Sequence, residues 1–145
     1  MAEIVVRSAT EHDAVAICPL INDELGYPEV TPEGVAQRIR AMDAQPDYHV
    51  FVACSEHELA GFIVLVQGIA LEMDKPYLRV LALAVKASCQ GRGVGRLLLQ
   101  AAEQTAHAGG AGKLLLSSAF ARKGAHAFYE RCGFVQKGIS FFKTI

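Results

Sequence analysis

The chain has 145 residues, 52% of them hydrophobic, and 14 basic against 15 acidic side chains give a formal charge of −1. That is the length of one domain with a core of its own, and the balanced charge excludes the basic surface of a general nucleic-acid binder. Cys18, Cys54, Cys89 and Cys132 form no C-x-x-C pair and no paired histidine spacing, which argues against a zinc site or disulfide framework and for reduced thiols.

Met1 to Arg7 carries an acid where a signal peptide wants lysines. The longest apolar stretches, Gly61 to Val66 and Val80 to Val85, fall far short of the ~20 residues that span a bilayer. The expectation is a cytoplasmic protein that neither crosses a membrane nor binds nucleic acid.

Residues 3–8, with Ile4, Val5 and Val6 at their centre, read as a first strand. Thr10 before Glu11, His12 and Asp13 resembles a capping box with Asp in place of the usual Glu or Gln. The helix that follows has Val15, Ile17, Leu20, Ile21 and Leu25 for its buried side, and Pro19 is expected to end or kink it. Gly26, Tyr27 and Pro28 close this region. Thr31, Pro32 and Glu33 start a second helix with a hydroxyl cap, a proline at the first position and an acid at the positive end of the dipole. Val35, Ile39 and Met42 form its apolar stripe.

Residues 48–54 and 59–67 are rich in β-formers and flank Ser55 to Glu58, the pattern of a hairpin. After a polar loop through Glu72 to Pro76, Tyr77 to Lys86 is nearly all apolar in its second half, which predicts a central strand buried on both faces. A helix opens near Val94, with Leu97, Leu98, Ala101, Ala102 and Thr105 on the same face. Gly109 to Gly112 end it. A short strand over 113–117, a helix over roughly Arg122 to Arg131 closed by Cys132 and Gly133, and a pair of strands at 134–136 and 139–143 complete the order βααβββαβαββ. This is one α/β domain over 1–145, without repeats or linkers.

The strand–glycine loop–helix unit over 77–107 carries the chemistry. Glycines let the backbone approach a ligand closely and point successive N–H groups at it. The following helix presents unpaired N–H groups and a positive dipole end, and Arg92 and Arg96 add charge. A pyrophosphate suits such a loop, although an ordinary strand–helix turn has the same composition. The dinucleotide pattern G-x-G-x-x-G fails, because Arg96 stands where the third glycine belongs. The Walker A pattern fails because Gly112-Lys113 is followed by Leu114.

What stands is Q-x-x-G-x-G, written Gln90, Gly91, Arg92, Gly93, Val94, Gly95. After a buried strand it resembles the acyl-CoA pyrophosphate loop of the GNAT (Gcn5-related N-acetyltransferase) superfamily. Downstream, Ala125 to Phe134 resembles the family segment A-x-x-F-Y-x-x-x-G-F. Leu25-Gly26-Tyr27-Pro28 and the ending Phe141-Phe142-Lys143 are similar to a group of small bacterial members.

The resemblance covers nearly the whole chain. It implies an α/β (α+β) fold with a mixed, mostly antiparallel central sheet and about four helices. It also implies acetyl-CoA as co-substrate, a primary amine as acceptor, no metal and, the family being often dimeric, a homodimer. The backbone at Leu83, Ala84 and Val85 would bond the acetyl and pantetheine groups. Gln90, Gly91, Arg92, Gly93, Val94, Gly95 and Arg96 would hold the pyrophosphate, with Ser118 and Phe128 also at CoA. Tyr129 would protonate the leaving thiolate, a role for which a phenol with pKa ≈ 10 is in the right state at neutral pH. Phe128 and Tyr129 also read as amphipathic core aromatics.

Relatives often carry a glutamate as candidate base on the strand before the loop, where this chain has Leu81. Glu72, Asp74, His49 and Glu24 lie on segments that border the acceptor cleft in the family, and an ordered water is an alternative. A CoA-binding module without catalysis, or an enzyme acting on protein amines, are the other functions this pattern allows.

Overall fold

The computed structural model describes residues 3–118 and 123–145. They fall into two compact units, one reaching Leu115 and the other running from Leu116 to Ile145. The first contains β1 (Val5–Ser8), α1 (Ala14–Asp23), α2 (Pro32–Asp43), β2 (Tyr48–Cys54), β3 (Leu59–Gly68), β4 (Tyr77–Val85) and α3 (Val94–Ala108). Strand β5 (Lys113–Leu116) leads out of it, and α4 (Lys123–Arg131) lies in the second. The sheet order is β1-β2-β3-β4-β5, and the pairs β1–β2, β2–β3 and β3–β4 are antiparallel. The expected α/β class, with a mostly antiparallel sheet and four helices, is the one observed.

Local side-chain chemistry sets the helix starts. The Thr10 N–H donates to Asp13 Oδ2 at 2.8 Å, and Arg7 on β1 clamps both oxygens of the same carboxylate at 2.9 Å. Strand and helix are thereby tied by one planar ion pair, the strongest geometry available to such charges. Thr31 Oγ1 accepts from the Gly34 N–H at 3.1 Å, a cap worth about 1 kcal/mol.

Pro19 neither ends nor breaks α1, which continues to Asp23. The bond that proline cannot donate belongs to the Val15 carbonyl, and Val15 and Pro19 both lie on the exposed face of the helix. Water can satisfy that carbonyl, so the interruption costs little where it falls.

Residues opposite one another in the ladder share a face, which sorts the sheet. Val52, Phe62 and Ala84 point to one side, where they join Ala14, Ile17, Val35 and Ile39 in the core under α1 and α2. Gly61, Ile63 and Leu65 point to the other, which α3 covers. A side chain at Gly61 would meet Val94 and Leu98 of that helix.

The register of β3 against β4 slips once. Val64 pairs with Ala82 but Leu65 pairs with Val80, leaving Leu81 without an opposite. This bulge puts Leu78 and Val80 on the same face as Leu83 and Val85, and it leaves Leu81 47% exposed. The strand is therefore not buried throughout its apolar run, contrary to the sequence expectation.

The closing strands expected at 134–136 and 139–143 do not form; among the described residues there is no strand after β5. A strand needs a neighbour to take its N–H and C=O groups and a face to bury. Here Val135, Ile139, Phe141 and Phe142 are exposed, and Ser140 Oγ meets Ser117 Oγ at 3.2 Å. The expected first residue of the last helix, Arg122, lies outside the described residues.

The Arg7 guanidinium, foremost, and the Thr10 N–H hold the Asp13 carboxyl below its ordinary value despite its partial burial. Its contribution to stability is complete above the unfolded value of about 3.9 and is lost as pH falls through the lower folded value. Asp13→Asn is expected to flatten the acid limb of the stability profile. Urea midpoints between about pH 3 and pH 6 check this: the parent should fall more steeply than the variant.

Candidate active site

Strand β4 ends at Val85, and a 3₁₀ turn over Ala87–Cys89 delivers the chain to the glycine loop. Gln90 closes this turn: its Nε2 donates to the Val85 carbonyl at 3.1 Å and to Glu24 Oε2 at 3.3 Å. One amide thus ties the loop both to the end of β4 and to the residue that follows α1.

Gly91 and Gly93 have φ of +78° and +81°, in the left-handed region that side-chain-bearing residues avoid. Gly93 occupies the cap position of α3, and its carbonyl accepts the first helical bond, from the Leu97 N–H at 3.0 Å. The N–H groups of Val94, Gly95 and Arg96 precede that bond and have no carbonyl one turn earlier to meet. Nothing lies within 4 Å of the side-chain position at either glycine, and both Arg92 and Arg96 are exposed. Open space, free amides, a helix dipole and two guanidiniums fit a pyrophosphate.

The loop is braced from below. Cys89 is buried, and its thiol donates to Glu58 Oε1 at 3.4 Å. Glu58 Oε2 receives Lys86 Nζ at 2.7 Å. This pairing, together with the thiol, holds the Glu58 carboxyl below its ordinary range, and Glu58 raises Lys86 in turn. Cys89 is a packed thiol that anchors the turn rather than an exposed nucleophile.

Of the three β4 residues assigned to the acetyl and pantetheine groups, Leu83 and Ala84 are buried and Val85 is half-buried. They pair with Ile63, Phe62 and Gly61, just beyond the bulge at Leu81. The candidate bases do not gather there. Glu24 bonds the Gln90 amide. His49 stacks on Phe51, on the sheet face opposite Val50 and Val64. Glu72 and Asp74 are exposed in the loop between β3 and β4. Among the described residues no group of three or more His, Cys, Asp or Glu side chains could hold a metal ion, and no helix is long and apolar enough to cross a membrane.

In the second unit, Tyr129 is 8% exposed and its ring meets Phe134 edge-on at 5.9 Å and Phe128 at 5.6 Å. The end of α4 produces this arrangement. Gly133 (φ +94°) donates to the Glu130 carbonyl, and the Phe134 N–H donates back to the Tyr129 carbonyl, both at 3.0 Å. These are the two bonds of a Schellman motif, with Tyr129 and Phe134 as its hydrophobic contact. The spacing Y-x-x-x-G-F is thus a helix-termination signal that also brings Phe134 onto the Tyr129 ring. Phe128 is half-buried. Ser118 Oγ is buried without a hydrogen-bond partner among the described residues, an unmet polar group of the kind a ligand can satisfy.

A side chain at Gly133 would meet no atom within 4 Å, so substitution there acts through the backbone alone. Gly133→Ala is expected to cost about 1–2 kcal/mol. Chemical denaturation checks the loss, and an accompanying change in tyrosine fluorescence would report the loosened Tyr129–Phe134 contact.

The acetyltransferase (GNAT) family model matches residues 15–134. Aminoalkylphosphonate N-acetyltransferase of Salmonella typhimurium is 30% identical over 144 residues, covering 97% of this chain and 90% of the relative. An uncharacterized N-acetyltransferase of Bacillus subtilis is 27% identical over 118 residues, 81% of this chain and 82% of the relative. Among solved structures, a putative acetyltransferase from Agrobacterium tumefaciens superposes with a TM-score of 0.85 at 28% identity, covering 97% of this chain and 99% of the other. An aminoglycoside N-acetyltransferase solved with CoA shares the fold, with a TM-score of 0.85 at 14% identity over 99% and 96% of the two chains. The chain belongs to the GNAT acetyltransferase family and is an N-acetyltransferase.

Proposed function

We propose that this enzyme moves the acetyl group of acetyl-CoA to a primary amine on a small molecule, by direct transfer within a ternary complex. The observation that carries the reading is the glycine loop: two left-handed glycines, free amides and two exposed arginines directly after a bulged strand. The relative from Salmonella, named for aminoalkylphosphonates, supports a small aminated acceptor. In this reading the chain acts in the cytoplasm, as one GNAT domain.

The residues 90–96 hold the pyrophosphate. Backbone groups of Leu83, Ala84 and Val85 receive the acetyl and pantetheine portions, and Ser118 and Phe128 contribute to the same substrate. The amine nitrogen attacks the thioester carbonyl. Backbone N–H groups of β4 stabilise the charge that develops on its oxygen. As the new C–N bond forms, the C–S bond breaks, and Tyr129 gives its phenolic proton to the departing sulfur. The proton shed by the nitrogen restores the phenol. Leu81 brings no acid or base to the strand, so the incoming amine is used in its neutral form, and turnover rises with pH through the amine's own titration.

Release of free thiol from acetyl-CoA against a panel of primary amines tests the activity. CoA binding without turnover across the panel would instead mark a binding module, the reading that Leu81 favours. Tyr129→Phe should lower kcat by about 10- to 100-fold while acetyl-CoA affinity stays within about twofold. Gly93→Val, which forces a branched residue to a φ of +81°, should weaken CoA binding by calorimetry. Intact affinity would contradict the loop assignment.

A further inference from the structure

A narrow cleft opens between α1, α2 and the face of the β2–β3 hairpin that carries Val50 and Val64. Its volume is about 100 Å³, and its walls include Ile17, Ile21, Val35, Met42 and Val64. Arg38 is the one charged residue among the described residues that line it. Neighbouring arginines are already engaged, Arg7 with Asp13 and Arg40 with Glu11. Arg38 makes no hydrogen bond or ion pair with another described residue. Its guanidinium lies over Gly34, where a side-chain carbon would sit 3.0 Å from it.

The position of the cleft gives it a use. Val64 pairs with Ala82, immediately beside the bulged Leu81 and one residue from Leu83. Adjacent strands are ~4.8 Å apart, so the Val64 wall of the cleft stands about one strand width from the β4 backbone at Ala82, next to the Leu83 backbone assigned to the acetyl group. The space suits a short alkyl chain: an engineered apolar cavity of roughly 150 Å³ takes a benzene ring. A guanidinium at the rim pairs with a phosphonate or carboxylate and has nothing comparable to offer a neutral group.

We propose that this cleft takes the alkyl body of the acceptor and that Arg38 holds an anionic group on it, so that the preferred acceptor is a short-chain primary amine bearing an anion. The proposal rests on the small-amine acetyltransferase reading above and adds to it a residue that selects the substrate.

The test compares 2-aminoethylphosphonate, β-alanine and propylamine as acceptors. The unsubstituted enzyme should favour the two anionic amines in kcat/KM. Arg38→Gln should lower the ratio of each anionic amine to propylamine by about 10- to 100-fold, mainly through KM, and Arg38→Lys should restore part of it. A larger loss for the phosphonate assigns the site to a dianion, and a larger loss for β-alanine to a carboxylate. An unchanged ratio in Arg38→Gln, or no preference for anionic amines at the start, overturns the proposal and leaves the acetyltransferase reading standing. Calorimetric titration of 2-aminoethylphosphonate into the CoA-saturated enzyme gives a second reading without turnover. Binding weakened by Arg38→Gln supports the proposal, and equal binding overturns it. Failure of all three amines to react while that binding persists would count against the acetyltransferase reading alone.

Discussion

The single slipped residue between β3 and β4 governs the first unit. Because a strand alternates its side chains strictly, an uninterrupted β4 would put Leu78 and Val80 on the side of Ala82 and Ala84. The bulge at Leu81 reverses the phase. It sends Leu78, Val80, Leu83 and Val85 together toward α3, while Ala82 and Ala84 meet the α1–α2 side with small side chains. The same extra residue breaks the ladder midway along the strand, next to Leu83 and ahead of the glycine loop. Packing on two faces thus comes from one irregularity.

That irregularity also explains what could be read from the chain and what could not. The run from Val80 to Val85 looks like a strand buried on both sides, because two alternating stretches joined out of phase present an unbroken apolar string. A bulge leaves no mark of its own in such a run. The glycine loop, by contrast, was legible because left-handed backbone positions demand glycine itself, at Gly91 and Gly93. The Thr31 cap and the β2–β3 hairpin were legible for similar reasons of local chemistry. Pro19 misled because its effect depends on which face of the helix it occupies, a property of the packed molecule. The β-rich ending misled because composition favours a strand but only a partner makes one.

The small net charge conceals a strongly organised local field. Arg92, Arg96 and the start of α3 are collected at the loop, while Lys86 close by is neutralised by Glu58. The pairing balances Lys86 and leaves the exposed Arg92 and Arg96 as the cations of the loop. It also fastens the 3₁₀ turn through Cys89, so the loop enters the helix from a fixed direction. Ion pairs as exposed as this contribute little to global stability. Their effect is on local shape.

The left-handed turn at Gly133 has a bearing on how such chains are classified. Tyr129 and Phe134 stand five residues apart because a helix that stops on this turn brings those two positions together. A chain could therefore preserve the whole tyrosine–glycine–phenylalanine pattern for folding alone, long after losing its chemistry. Conversely, a functioning enzyme could shed the glycine only by finding another way to end the helix. The spacing is accounted for by the helix end alone, so its presence in a sequence is evidence of how a helix stops before it is evidence of turnover.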